Sequence, residues 1–201
     1  VGALIAPPAA AATPDDDVDT IVSRLQDYYL GQGDDIIIAN GIYLARASEA
    51  QEYAASQNED GSWADVNYAD RTSSANGSTW SAYIALYRML AMAQAYRSPD
   101  APGFEDPELI AALDRALVHW DRVDPGNQNW WETEIGESMV MGRIAVFVGD
   151  ELSGEAFDAA QEHNTGKLDP VGANGAWRTT NYLFEAVSTR NFEDITAGFA
   201  T

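Results

Sequence analysis

Apolar residues recur in this chain at the 3.6-residue spacing of helices, and no stretch of it alternates with period two. That regularity argues against a sheet-based fold and leaves helix packed on helix. Ile21, Leu25 and Tyr28 mark one face of a helix over about 18–29, and a second helix, rich in Ala, Glu and Gln, is expected over about 36–56. Trp80, Tyr83, Tyr87 and Leu90 follow an i, i+3, i+7, i+10 series along a third, which ends near Ser98-Pro99. The fourth has the best start signal: Asp106 to cap, Pro107 at the first helical position and Glu108 to complement the dipole. Its apolar face is Ile110, Leu113, Leu117 and Trp120. Another begins near Trp131 and carries Ile135, Met139, Gly142 and Val146; a shorter one follows Gly154; the last begins near Asn174 with Trp177, Leu183 and Phe184.

The fold class is therefore all-α. The helices are joined by loops of very uneven length, whereas a four-helix bundle has shorter and more regular connections. The expected architecture is an incomplete α/α toroid of antiparallel helical hairpins over residues 17–201. At 46% hydrophobic and 10% aromatic, 201 residues can build a core, which excludes global disorder.

Residues 1–16 read as a signal-peptide remnant followed by an acidic linker. Val1 to Ala12 is uncharged, broken by proline and too short for a membrane span, which needs about 20 apolar residues. On that reading the protein is secreted; the alternative is a flexible apolar leader. The net charge of −21 repels phosphate backbones, so neither nucleic acid nor an anionic membrane is an expected partner. There are no cysteines, hence no disulfides, thiolate metal sites or Cys nucleophile. Two histidines far apart give no metal-binding spacing, and no cofactor motif is present. Asn76-Gly77-Ser78 matches a glycosylation sequon, a string that arises readily by chance.

Two stretches carry the chemistry. In Asn127-Gln128-Asn129-Trp130-Trp131-Glu132-Thr133-Glu134-Ile135-Gly136, the adjacent tryptophans cannot both face one helix's core, since successive residues lie about 100° apart. Flat aromatic faces stack on sugar rings and amides bond hydroxyls, so Asn129, Trp130 and Trp131 form a candidate carbohydrate platform. The alternative is that Trp130 staples the helix start, Trp131 is core and Asn129 caps. In Asp169-Pro170-Val171-Gly172-Ala173-Asn174-Gly175-Ala176-Trp177-Arg178, Asn174 sits where a helix cap is wanted and Trp177 reads as core. Its functional reading is a fixed amide donor at a helix start, where the dipole favours an anion.

NWW-x-x-EIG, followed about forty residues later by GAN and then W and R, resembles the N-terminal α-domain of polysaccharide lyase family 8, which comprises the hyaluronate, chondroitin AC and xanthan lyases. The resemblance runs roughly from Asp17 to Thr196, including the stretch from Trp80 and Tyr83 to Tyr96 and Trp120. It implies that Asn174 is the catalytic Asn that bonds the uronate carboxylate, and that Asn129, Trp130 and Trp131 are the amide and aromatic patch that seats the sugar chain. It also implies β-elimination, with a Tyr abstracting the proton alpha to the carboxylate, and β-sandwich domains after the toroid. The family's catalytic His and Tyr lie beyond its Asn, in a DGS-x-x-QH-like segment with no match here. The only Tyr after Asn174 is Tyr182, both histidines, His119 and His163, precede it, and Asp60-Gly61-Ser62 lies upstream as a loop. Where some members have an aromatic six residues before the Asn, this chain has Leu168. The expectation is thus an N-terminal fragment of a lyase, inactive alone and lacking its C-terminal β-domains.

An anionic polysaccharide sits awkwardly with the charge, and Arg143 and Arg178 are the nearest candidates to line a cleft, or else ion-pairing residues. The competing readings are an α/α-toroid glycoside hydrolase, with Glu132, Glu134, Glu137 and Asp60 as candidate carboxylates, and a non-catalytic carbohydrate-binding or scaffold domain.

Overall fold

The helical periodicity is realised as eight α-helices among the described residues: α1 (Pro14–Leu30), α2 (Ala50–Ala55), α3 (Tyr83–Arg97), α4 (Pro107–Val123), α5 (Ser138–Val148), α6 (Gly154–Glu162), α7 (Gly172–Ser188) and α8 (Phe192–Phe199). The computed structural model describes residues 13–30, 38–39, 44–72, 80–169 and 171–200. The leader Val1–Ala12, the Ser73–Ser78 cluster with its sequon, and Pro170 lie outside the described residues.

Helix α3 is buried on nearly every side, from Tyr83 to Tyr96, and a helix of that kind must be wrapped. Helices α2, α4 and α5 pack against it, α7 packs on α5, α6 on α4 and α5, and α8 on α7. Helices α3, α5 and α7 thus form one row and α4 and α6 begin a second, with α8 packed back on α7. This is the hairpin array expected of a toroid segment. Helix α1 lies across α5 and α7, tied by its first two turns to the α7–α8 corner, where Arg190 pairs with Asp15 at 3.6 Å and Asp19 at 2.9 Å.

Local signals set the helix starts. Asp106 Oδ1 accepts from the Glu108 N–H at 2.9 Å, and α4 ends on left-handed Asp124 (φ 43°). Thr13 and Asp16 bond reciprocally at the start of α1, a capping box, so Asp15, Asp16 and Asp17 form a helical first turn and not a linker.

Three further expectations are corrected. Among the described residues of the helix expected over 36–56, only Ala50–Ala55 are α-helical, after a 3-10 turn (Ala47–Glu49); upstream, β1 (Ile38–Ala39) pairs antiparallel with β2 (Leu44–Ala45). The β-branched run Ile36-Ile37-Ile38 and the Asn40-Gly41 hairpin signal between the strands outweigh helix propensity. This two-residue ladder leaves the all-α class intact. Trp80 precedes α3 and donates its indole N–H to Asp70 O at 2.9 Å. Helix α7 is not the last: left-handed Arg190 (φ 56°) turns the chain, and Asn191 caps α8 by accepting from the Asp194 N–H at 3.2 Å.

Leu113, fully buried in α4, and Asp106, its cap, should differ in cost. Leu113→Ala is expected to cost about 2–5 kcal/mol and Asp106→Ala about 1 kcal/mol in denaturant unfolding. Equal losses would mean that α4 is held by its start and not by its buried face.

Candidate functional site

The helix bearing the tryptophan pair is not α-helical throughout. Residues Glu132–Glu137 form a π turn between Trp131 and α5. In a π turn the hydrogen bonds run i→i+5, so positions five apart come to one side. Trp131 and Gly136 are such a pair: a Cβ on Gly136 would lie 3.0 Å from Trp131 Cζ3 and 1.7 Å from Tyr83 Oη. Only glycine lets the Tyr83 hydroxyl and the Trp131 ring meet there.

Each residue of NWW-x-x-EIG then has a place. Asn127 Oδ1 accepts from the Asn129 N–H at 2.8 Å, and Asn129 Oδ1 accepts from the Trp131 N–H at 3.2 Å, so the Asn129 oxygen caps the helix. Its Nδ2 amide meets no acceptor among the described residues. Trp130 is 46% exposed, while Trp131 is half-buried. Glu134 reaches outward to Arg178 at 2.8 Å, and Ile135 is fully buried, its carbonyl accepting from Asn181 Nδ2 at 3.2 Å. Glu137 points into the core, accepting from Trp120 Nε1 at 2.7 Å and from His163 Nδ1 at 2.6 Å.

The GAN segment arrives on α7. The preceding loop lies against this helix: Asp169 N donates to Thr179 Oγ1 at 3.2 Å, and a Cβ on Gly175 would come 2.4 Å from Asp169 O. Asn174 is not the cap that its position suggested. It lies inside the first turn of α7, its exposed side chain bonded to no described group, and the helix start has no side-chain cap. Free N–H groups at a helix start favour an anion.

Asn174, Trp177, Asn181 and Phe184 fall at i, i+3, i+7 and i+10, one stripe of α7. Phe184 and Asn181 on that stripe are buried, Asn181 against the π turn. The stripe continues to Trp177, whose ring meets Trp131 edge-to-face at 5.6 Å, and one turn further to Asn174. Arg178 stands over the Trp130 ring at 5.1 Å from its centroid and pairs with Glu134 and Asp169. The two motifs are thereby joined by a ring contact, a cation–π contact and an ion pair. Leu168, 39% exposed, lies in the adjoining loop.

Other candidates are accounted for differently. Arg143 is not a cleft cation; it stacks over Tyr29 at 4.7 Å, and burial lowers its pKa. His119 is buried against Tyr68, its pKa lowered by burial, with Nδ1 accepting from Arg122 at 2.7 Å. Among the carboxylates proposed for hydrolysis, Glu132 and Glu137 are buried, and Glu134 is ion-paired. Hydrogen bonds from Ser62 hold Asp60 below the usual carboxylate range. For Asp60 that is the opposite of what a general acid needs. Asp60 sits in a turn with Gly61 at φ 87°, the loop read from the sequence. The described residues contain no cluster of three or more His, Cys, Asp or Glu suited to a metal ion, and no helix long and apolar enough to cross a membrane.

The π turn, the Trp177 exposure and the seat of Arg178 over Trp130 were not read from the sequence, whereas the ion-pairing reading of Arg178 holds. The signals were Gly136 inside a helical pattern, a costly choice that marks a close approach, and basic Arg178 four residues after Asn174.

Gly136→Ala is expected to destabilise by about 1–3 kcal/mol through overpacking. Tyr83→Phe removes the clashing oxygen, so the double variant should regain part of that loss; strict additivity in thermal melts would defeat the assignment. A second expectation follows from His163. Burial lowers its pKa, but the Glu137 hydrogen bond and charge, with Asp121 and Asp124, outweigh this and raise it above 6.5. A histidine raised on folding contributes stability that is complete below its unfolded pKa and lost as pH rises through the folded one. Wild-type stability should therefore fall more steeply above about pH 6.5 than that of His163→Gln; parallel pH profiles would exclude the pair as its source.

Residues 41–192 match the N-terminal alpha-helical domain of polysaccharide lyase family 8. Solved structures share the fold. A chondroitinase AC lyase, whose structure concerns enzyme–oligosaccharide complexes and mutagenesis, matches at 21% identity and a TM-score of 0.73, over 90% of this chain and 26% of its own. The Streptomyces coelicolor A3 chondroitin AC lyase, solved with chondroitin sulphate, matches at 22% and 0.65, over 91% and 26%. A Paenibacillus xanthan lyase matches at 18% and 0.64, over 92% and 19%. No curated protein matches the sequence. The chain spans about a quarter or less of the length of these structures. With the hairpin array and the NWW-x-x-EIG and GAN segments in place, the chain belongs to polysaccharide lyase family 8, as its N-terminal α-helical domain.

Proposed function

We propose that the intact protein carrying this domain is a secreted lyase that cleaves a uronate-containing polysaccharide, of hyaluronan, chondroitin or xanthan type, by β-elimination. The observation that carries the reading is the junction of the two motifs: Asn174, in the uncapped first turn of α7, shares a stripe with Trp177, which touches Trp131. Trp130 and Trp131 stack on sugar rings, the free amide of Asn129 bonds a hydroxyl, and Asn174 donates to the uronate carboxylate.

The chemistry needs such a donor. A proton alpha to a carboxylate is weakly acidic because its loss sets a second negative charge beside the first. A fixed amide at the carboxylate, with the α7 N–H groups behind it, stabilises the charge that builds in the transition state, as an oxyanion hole does. Contact through rings and amides also suits a domain of net charge −21, whose Arg178 is already shared by two carboxylates.

The base comes from elsewhere in the intact enzyme. His119 and His163 are committed to the core, burial and nearby carboxylates push the Tyr83 phenol far up, and the Asp194 hydrogen bond raises Tyr182 to about 12. On this reading the domain seats substrate and does not turn it over alone.

In the intact enzyme, Asn174→Ala should lower kcat by about 10²–10³ with little change in KM, as for the loss of one oxyanion-hole donor. The near-ultraviolet absorbance of the unsaturated product measures this. Full kcat in that variant would remove Asn174 from the reaction and leave it a surface residue of the first turn.

A further inference from the structure

The six tryptophans divide into two groups of three. Trp63, Trp80 and Trp120 are buried, and each spends its indole N–H on a protein acceptor: Tyr53 O at 2.8 Å, Asp70 O at 2.9 Å and Glu137 Oε1 at 2.7 Å. This is how a tryptophan used for packing behaves, since a buried donor needs a partner. Trp130, Trp131 and Trp177 sit at the surface, and none of their indole N–H groups has an acceptor among the described residues. By burial and by hydrogen bonding, Trp177 belongs with the tryptophan pair and not with the core, where the sequence pattern had assigned it.

Its surroundings agree. Trp177 is 39% exposed and meets Trp131 at 5.6 Å with the ring planes 83° apart. Rings at a right angle leave at least one full face of each uncovered by the other. Arg178, the next residue, holds Trp130 from one side at 5.1 Å and is itself fixed by Glu134 and Asp169, so the three rings are set by contacts between α7 and the segment around the π turn. Asn174 lies one turn before Trp177 on the same stripe. A fold that needed Trp177 only for packing would close over it; here the helix carries it past the edge of the core and leaves its donor unspent.

We propose that Trp177 is a third stacking residue of the platform, which together with Trp131 forms a two-walled corner for a pyranose ring of an acidic polysaccharide and offers its N–H to a sugar oxygen. This inference rests on the lyase reading above. A stacking face grips ground state and transition state alike, so its loss raises KM and leaves kcat nearly unchanged.

The test uses the intact protein with hyaluronan, unsulfated chondroitin and xanthan-derived oligosaccharides as probes, binding being followed by calorimetry. Trp177→Ala and Trp177→Leu are compared with Trp130→Ala, each checked by a thermal melt; leucine keeps apolar packing on Trp131 but has no flat face. The expected result is binding weaker by about tenfold or more in both Trp177 variants, as for a truncated tryptophan hot spot, with KM raised, kcat retained and the melt of the leucine variant unchanged. If a probe binds, Trp130→Ala loses it and Trp177→Leu binds as wild type, the inference is overturned while the lyase reading stands. If no probe binds the wild-type protein, the lyase reading falls and takes the inference with it.

Discussion

The close approach of Tyr83 to Gly136 governs the site. The space where a side chain on Gly136 would stand is filled by the Tyr83 hydroxyl and the edge of Trp131, so α3 and the start of the α5 helix meet more closely than two residues with side chains allow. The π turn accompanies that approach and fixes what each neighbour does. Trp131 folds back over position 136, Trp130 is left outside, Glu134 faces Arg178, and Glu137 is carried inward to Trp120 and His163. The inward pair is costly to desolvate and strongly destabilising to break singly, which holds the turn to one arrangement.

Electrostatics shape the same region in a second way. With 32 acidic residues against 11 Lys and Arg, positive charge is scarce, and the structure spends arginines as local struts. Arg88 braces Asp65, Arg97 links Asp150 and Glu151 to the Phe147 carbonyl, Arg190 ties α1 to the α7–α8 corner, and Arg178 bridges Glu134 and Asp169 beneath Trp130. The exposed pairs are worth little individually, but the Arg178 set spans two elements and a ring. This face presents aromatic surface, amides and a helix start, and the guanidinium beside them is already occupied.

Much of this was legible beforehand. The period of Ile110, Leu113, Leu117 and Trp120, with Asp106 and Pro107 before them, fixed α4 because capping and periodicity are local properties and agreed with each other. The NWW-x-x-EIG and GAN strings pointed to the residues that the structure brings together. Residues 38–39 and 44–49 were misread because Ala-rich composition was weighed above the β-branched run and the Asn-Gly signal in the sequence. Asn174 was misread as a cap because the turn chemistry around it located the helix start only to within about a turn, the N-cap position falling at Val171.

The sequence by itself determined the helical class, the approximate helix faces and the residue types available for chemistry, since these follow from spacing along one chain. Only the tertiary structure decided which of two adjacent tryptophans turns outward, that Trp177 stays at the surface, that both histidines are spent in the core and that Arg178 is a strut. A period of 3.6 says that a side chain lies on a given face; it does not say where the neighbouring helix ends. Trp177 occupies the same stripe as buried Phe184, and it remains exposed because the elements packed on that stripe stop short of it. Burial, and with it the division between packing residue and binding residue, is set by partners distant in sequence.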